Sequence, residues 1–96
     1  MFYYKIHKSG GTTLLAVCDS ELLGKTFEEG RLALQISREF YGEQKIGNEV
    51  LDLFPRADTI NIAGNNIVSI VLKNKWVSKK GIIRIKGIPH AQIFSL

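Results

Sequence analysis

Three side chains in this chain have the chemistry to act as nucleophile, base or metal ligand near neutral pH: His7, Cys18 and His90. Paired as thiol and imidazole, they would make a nucleophile and its base. Gathered together, they would supply three of the four ligands a zinc ion takes. Zinc sites in small domains rest on local ligand pairs such as C-x-x-C or H-x-x-x-H. The spacing 7, 18, 90 contains none, so no metal is expected, and no other cofactor motif is present.

Whether thiol and imidazole meet depends on the strands that carry them. Phe2 to Lys8 and Thr12 to Val17 are aromatic and β-branched at alternate positions, with Gly10-Gly11 between them. Two glycines supply the positive φ values of a two-residue hairpin turn. Pairing about that turn sets Ile6 opposite Leu15 and Tyr4 opposite Val17 on one face. The other face carries His7 opposite Leu14, Lys5 opposite Ala16 and Tyr3 opposite Cys18. His7 then stands four residues along the strand from Cys18, about 13 Å at the strand rise. A nucleophile and its base must approach within about 3 Å, so the hairpin alone makes no dyad. His90 reaches Cys18 only if the last strand pairs beside it. The plainer reading of a lone cysteine at a strand end is a small buried hydrophobe. Catalysis, if there is any, falls to His90, Cys18 or His7, with Asp19 as a neighbour. The sequence leaves open whether the protein is an enzyme.

His90 lies in Lys86-Gly87-Ile88-Pro89-His90-Ala91-Gln92-Ile93-Phe94. Ile88 precedes a proline and must be extended. Pro89 therefore starts a last strand on which His90 and Gln92 project from one side. That pair can grip a ligand, a base edge or a partner's backbone. Alternatively it satisfies buried backbone groups or caps the sheet edge. Ala63-Gly64-Asn65-Asn66, between a strand and a helix, has the general shape of an anion-binding turn. It lacks a Walker or G-x-G-x-x-G pattern, and a plain turn with Asn65 as N-cap explains it as well. Glu28-Glu29 and Glu39/Glu43 have no recognisable acid–base context and read as solvated faces.

The remaining elements follow from period and punctuation. Ser20 starts a short helical turn that turns Leu22-Leu23 inward and ends at Gly24. Leu32, Leu34 and Ile36 alternate with polar residues, as in a strand. Asn48 opens a helix carrying Val50, Leu51 and Phe54, which Pro55 should end near Leu53 or Phe54. Thr59 to Ile62 reads as a strand. The next helix sets Val68, Leu72 and Trp76 on one buried face. Ile82, Ile83 and Ile85 form a strand with Arg84 and Lys86. The expected fold is α+β: a single domain over 1–96, with a mostly antiparallel sheet of about five or six short strands and two or three helices packed on it.

A single cysteine excludes an internal disulfide and fits a reducing cytosol. No segment approaches the ~20 apolar residues of a membrane span, and no signal peptide is expected. The protein is read as cytoplasmic, with no membrane partner. Its net charge of +4 is unevenly spread. Residues 1–58 hold all nine acids against seven bases, whereas residues 59–96 hold no acid and six bases: Lys73, Lys75, Lys79, Lys80, Arg84 and Lys86. Such asymmetry points to an anionic partner or to a basic solvated face. Lysine and arginine neutralise phosphates, and an aromatic ring stacks on an unpaired base, so RNA is the partner these cations suit.

Several stretches together resemble the archaeal family catalogued as domain of unknown function 424. They are Lys5-Ile6-His7-Lys8, Cys18-Asp19, Glu21-Leu22-Leu23-Gly24-Lys25-Thr26-Phe27, Glu29-Gly30, Phe40-Tyr41-Gly42, Asn61-Ile62-Ala63-Gly64 and Gly87-Ile88-Pro89-His90-Ala91-Gln92. The family often has paired glycines before its Pro-His-Ala-Gln, and here Lys86 takes the place of the first. The resemblance implies an uncharacterised archaeal cytoplasmic protein that keeps company with translation genes, and supplies no reaction. The leading expectation is an RNA- or ribosome-associated accessory factor binding through its basic C-terminal part. Behind it stand a protein-interaction module or homodimer using an edge strand such as the last one, and a small enzyme or ligand-binding protein using His90.

Overall fold

The computed structural model describes residues 1–42, 44–77 and 81–94. Eight strands lie among them: β1 (Phe2–Ser9), β2 (Thr12–Asp19), β3 (Thr26–Glu29), β4 (Leu32–Gln35), β5 (Gln44–Ile46), β6 (Thr59–Ala63), β7 (Ile82–Ile85) and β8 (Ile88–Phe94). Two α-helices, α1 (Arg38–Tyr41) and α2 (Asn65–Lys73), and two 3₁₀ segments, Ser20–Leu22 and Asn48–Arg56, complete the chain.

Six strands form one sheet in the order β5-β1-β2-β6-β8-β7, and β3-β4 form a separate hairpin. The β1–β2 register runs from Phe2 opposite Asp19 to Ser9 opposite Thr12, the pairing that the Gly10-Gly11 turn dictates. β2 and β6 are parallel, while every other neighbouring pair in this sheet is antiparallel. The sheet is thus mixed. Its one parallel ladder needs a long crossover, which residues 20–58 provide. The last strand is not an edge: β8 pairs with β6 on one side and β7 on the other. The edges are β5 and β7.

Side chains alternate across the strands, so the sheet has two distinct faces. The first carries Leu15, Val17, Ile60, Ile62, Ala91 and Ile93, buried together with Val50 and Phe54 of the long 3₁₀ segment and with Ile67, Val68 and Val71 of α2. The second carries Ala16, Cys18 and Ala63, clustered with Leu22, Leu34, Ile36 and Tyr41.

Three local expectations change. Pro55 lies inside the 3₁₀ segment, which runs on to Arg56; its missing N–H falls in the last turn. Helix α2 stops at Lys73, because Asn74 leaves helical geometry and Lys75 takes a positive φ of 62°. Trp76 therefore lies beyond the helix, 38% exposed, with its ring edge-on to Phe54 at 5.3 Å. The N-cap of α2 is Gly64 rather than Asn65.

Candidate functional site

The turn with the shape of an anion site already holds an anion, the chain's own. Asp19, at the end of β2, is buried, and its two carboxylate oxygens accept the N–H groups of Asn66 (2.8 Å) and Ile67 (2.9 Å) at the start of α2. These are donors that no helical carbonyl can satisfy. Gly64 makes room for the carboxylate: a Cβ there would lie 2.3 Å from Asp19 Cγ, at a φ of 122° that disfavours any other residue. Burial pushes the Asp19 carboxyl up, against the two amide donors that pull it down. An external phosphate finds this helix terminus taken.

A second polar linkage crosses the other face. Across β1, β2, β6 and β8 the register aligns Lys5, Ala16, Asn61 and Gln92 in one row. Tyr3, Cys18, Ala63, His90 and Ile83 make the next row, with β7 included. Asn61 is 7% exposed in the middle of the sheet. Its Oδ1 accepts the Tyr41 hydroxyl at 2.5 Å and lies 3.0 Å from His90 Nε2. Burial raises the Tyr41 pKa, followed by the neighbouring Cys18, so the hydroxyl keeps its proton and donates. A carboxamide oxygen only accepts. His90 therefore carries its proton on Nε2 and leaves Nδ1 as the acceptor, without a partner among the described residues. Burial also lowers the His90 pKa from its ordinary 6.5, so the ring is neutral at pH 7.

His90 is half-buried and Gln92 is exposed. Both line an open depression of about 230 Å³ at the start of β7 and the stretch of β8 paired with it, with Gly81, Ile83 and Ala91. Pro89, at the head of this strand, is buried, and its carbonyl accepts the Gly64 N–H at 2.9 Å. The Pro89-His90-Gln92 motif is thus neither sealed in the core nor free at an edge.

The three catalytic candidates are kept apart. Cys18 and His90 sit on β2 and β8 with Ala63 of β6 between them, about 10 Å apart by strand spacing. Cys18 is fully buried, and desolvation pushes its thiol up to about 12. It is a hydrophobe here, not a thiolate. His7 donates from Nε2 to the Phe40 carbonyl (2.8 Å) and stacks on the Phe40 ring (4.9 Å), anchoring α1 over the sheet. Among the described residues no group of three His, Cys, Asp or Glu side chains could hold a metal.

The basic residues divide. Lys73 and Lys75 lie at and beyond the end of α2, about 13 Å along its axis from Gly64. Arg84 and Lys86 lie at the opposite end, level with Pro89 and the β7–β8 turn. All four are exposed, while Lys79 and Lys80 fall outside the described residues, as does Glu43. The fold also brings an acid to the segment that has none in sequence. The Lys86 N–H donates to Glu29 at 2.6 Å, tying the β3-β4 hairpin to the β7–β8 turn.

Sequence reasoning missed Tyr41 and Asn61 as site residues. Asn61 had a signal, a carboxamide inside the β-branched run Thr59 to Ile62 that must find partners once buried. Tyr41 had none, because it arrives on a helix of four residues, 20 positions away.

A mixed six-stranded sheet with α2 on one face and α1, with the Tyr41-Asn61-His90 linkage, on the other defines a small α+β protein. The family model described as "Protein of unknown function (DUF424)" matches residues 7–96, and the chain belongs to that family. It is similar to a crystal structure of an uncharacterized conserved protein from Methanopyrus kandleri, with a TM-score of 0.79 and 26% identity, over 99% of this chain and 91% of that one. No curated protein matches the chain. No helix among the described residues is long and apolar enough to cross a membrane.

Proposed function

We propose that the protein is a cytoplasmic RNA- or ribosome-associated accessory factor that binds unpaired RNA along the open strip of its second sheet face. One observation carries the reading: Phe94 (68% exposed), Gln92 and Ile83 (51% exposed) face solvent together, beside the half-buried His90. An exposed ring on a sheet is a platform for a base, and stacking contributes about 1–3 kcal/mol per base. Cations flank the strip at its two ends: Lys73 and Lys75 at the end of α2, on the first-face side, and Arg84 and Lys86 at the β7–β8 turn, so a phosphate backbone that leaves the strip at either end meets positive charge.

Binding to single-stranded RNA, measured at decreasing salt, tests this. The affinity should fall linearly in log–log terms as salt rises, with a slope of about −0.7 per phosphate neutralised. Lys73→Glu with Lys75→Glu and Arg84→Glu should weaken binding and flatten the slope. Phe94→Ala should weaken binding roughly tenfold and leave the slope alone. Absence of RNA binding at low salt overturns the reading.

A second reading rests on the β7 edge, which pairs with no further strand among the described residues and carries the exposed Ile83. Such an edge accepts a strand from another chain. Light scattering that gives twice the monomer mass, lost on Ile83→Lys, would favour it.

A further inference from the structure

We propose that the depression at the start of β7, over His90 and Gln92 of β8, seats one unpaired nucleobase, whose edge donates a hydrogen bond to His90 Nδ1 and meets the Gln92 carboxamide as its second contact. The inference rests on the RNA reading above and names what the strip recognises.

The size fits first. About 230 Å³ is below the roughly 300–1,000 Å³ of sites for drug-sized ligands, and leaves room for one planar ring system. The lining fits next: Ile83, Gly81 and Ala91 offer apolar or backbone surface to a ring face, while His90 and Gln92 supply the polar groups. These two are i and i+2 on one strand, about 7 Å between Cα atoms, a span that two side chains can close onto one ring edge.

The decisive feature is the fixed proton. An imidazole free to choose its tautomer offers either a donor or an acceptor at a given position. Here Asn61 Oδ1 engages Nε2 and is itself held by the buried Tyr41 hydroxyl. Nδ1 is left as an acceptor, and among the described residues it has no partner. Among the described residues no buried side-chain nitrogen or oxygen is left unsatisfied, and the half-buried His90 lines the depression. A fixed acceptor next to a carboxamide complements an edge that sets a donor beside another polar atom, as the Watson–Crick edges of nucleobases do. Neutrality at pH 7 keeps the acceptor available; protonation in acid turns Nδ1 into a donor.

The experiment compares base-bearing and baseless strands. Fluorescence anisotropy is measured with labelled rA10, rC10 and rU10, and with a ten-unit abasic ribose-phosphate strand. At least one base-bearing strand should bind roughly tenfold or more tightly than the abasic strand. His90→Ala and Gln92→Ala should each shrink that ratio severalfold and leave the salt slope unchanged. Gln92 is exposed, so its variant folds whatever becomes of the His90 variant. Acidification through the lowered His90 pKa should shrink the ratio in the wild type and not in His90→Ala. Salt-dependent binding of all strands with a ratio untouched by either variant overturns the nucleobase site and leaves the RNA reading standing. No binding of any strand at low salt overturns both.

Discussion

On the first face of the sheet, Leu15, Val17, Ile60, Ile62 and Ile93 meet Val50, Phe54, Ile67, Val68 and Val71, and the space is filled with hydrocarbon. On the second, the same strands present Ala16, Cys18, Asn61 and Ala63, small side chains around one carboxamide. Among the described residues each face has one buried polar anchor. Asp19 belongs to the first, and the chain closes it completely, with both oxygens on amides of α2. Asn61 belongs to the second, and it passes its bonding on to the half-buried His90. The first face supplies stability; the second trades some of it for an ordered imidazole at the surface.

The largest losses of stability should therefore come from the first face. Phe54 is fully buried and supports Trp76 as well. Phe54→Ala should cost about 3–5 kcal/mol of unfolding free energy, measured by denaturant titration, because transfer and cavity terms add. A cost under about 1.5 kcal/mol would mean that this face repacks freely, and the contrast would fail.

Asp19 comes next. Asp19→Ala strips the buried Ile67 amide and the part-buried Asn66 amide of their acceptor and should cost about 2–3 kcal/mol at pH 7. Gly64→Ala should be damaging for the complementary reason, since its methyl group would collide with the same carboxylate. The pH dependence has a definite sign. Burial sets the folded pKa of Asp19 above the unfolded value of about 3.9. Its contribution is thus complete below about pH 3.9 and is lost as pH rises through the folded value. The stability gap between wild type and Asp19→Asn should be widest in acid and narrow towards neutrality. A gap that widens instead would show that the amide donors outweigh burial.

Asn61→Leu probes the second face at nearly constant volume. It leaves the Tyr41 hydroxyl buried without an acceptor and should cost about 1–2 kcal/mol. Adding Tyr41→Phe should restore much of that, because the orphaned group is gone. Recovery of stability without recovery of base-dependent RNA binding would separate packing from positioning at this site.

What was legible in the sequence was local. The β1–β2 register followed from Gly10-Gly11 because turn and pairing are adjacent. The face shared by His90 and Gln92 followed from the two-residue period of a strand. Partners at long range were not legible. Nothing within Thr59 to Ala63 says that β6 lies parallel to β2, because a crossover of nearly forty residues intervenes. Asn65 looked like the cap of α2 because capping usually comes from the residue before the helix, and here the carboxylate arrives from 47 positions away. Trp76 kept the helical spacing of Val68 and Leu72 past the point where Lys75 breaks the helix. Charge was misleading in one place: the segment without acids meets Glu29 only through the fold.

The smallest predicted effect is a gain, at the rim of the second face. The turn from β7 to β8 is made by Lys86 and Gly87, with φ of 53° and 77°. A side chain in the left-handed region costs about 1–2 kcal/mol, which glycine avoids. Glycine gives back about 0.5–1 kcal/mol through the freedom it adds to the unfolded chain. Lys86→Gly should therefore stabilise the protein by about 0.5–1 kcal/mol, read as a rise of a few degrees in Tm. The β1–β2 turn, with glycine already at both positions, has no such gain to offer. The substitution also removes a cation proposed to meet a phosphate, so the salt slope of RNA binding should flatten by about 0.7. A stabler protein with a flatter slope would mean that Lys86 is kept for its charge, at the expense of its turn. A stabler protein with an unchanged slope would free Lys86 from the RNA surface and place the contacts on Arg84 and the lysines beyond α2.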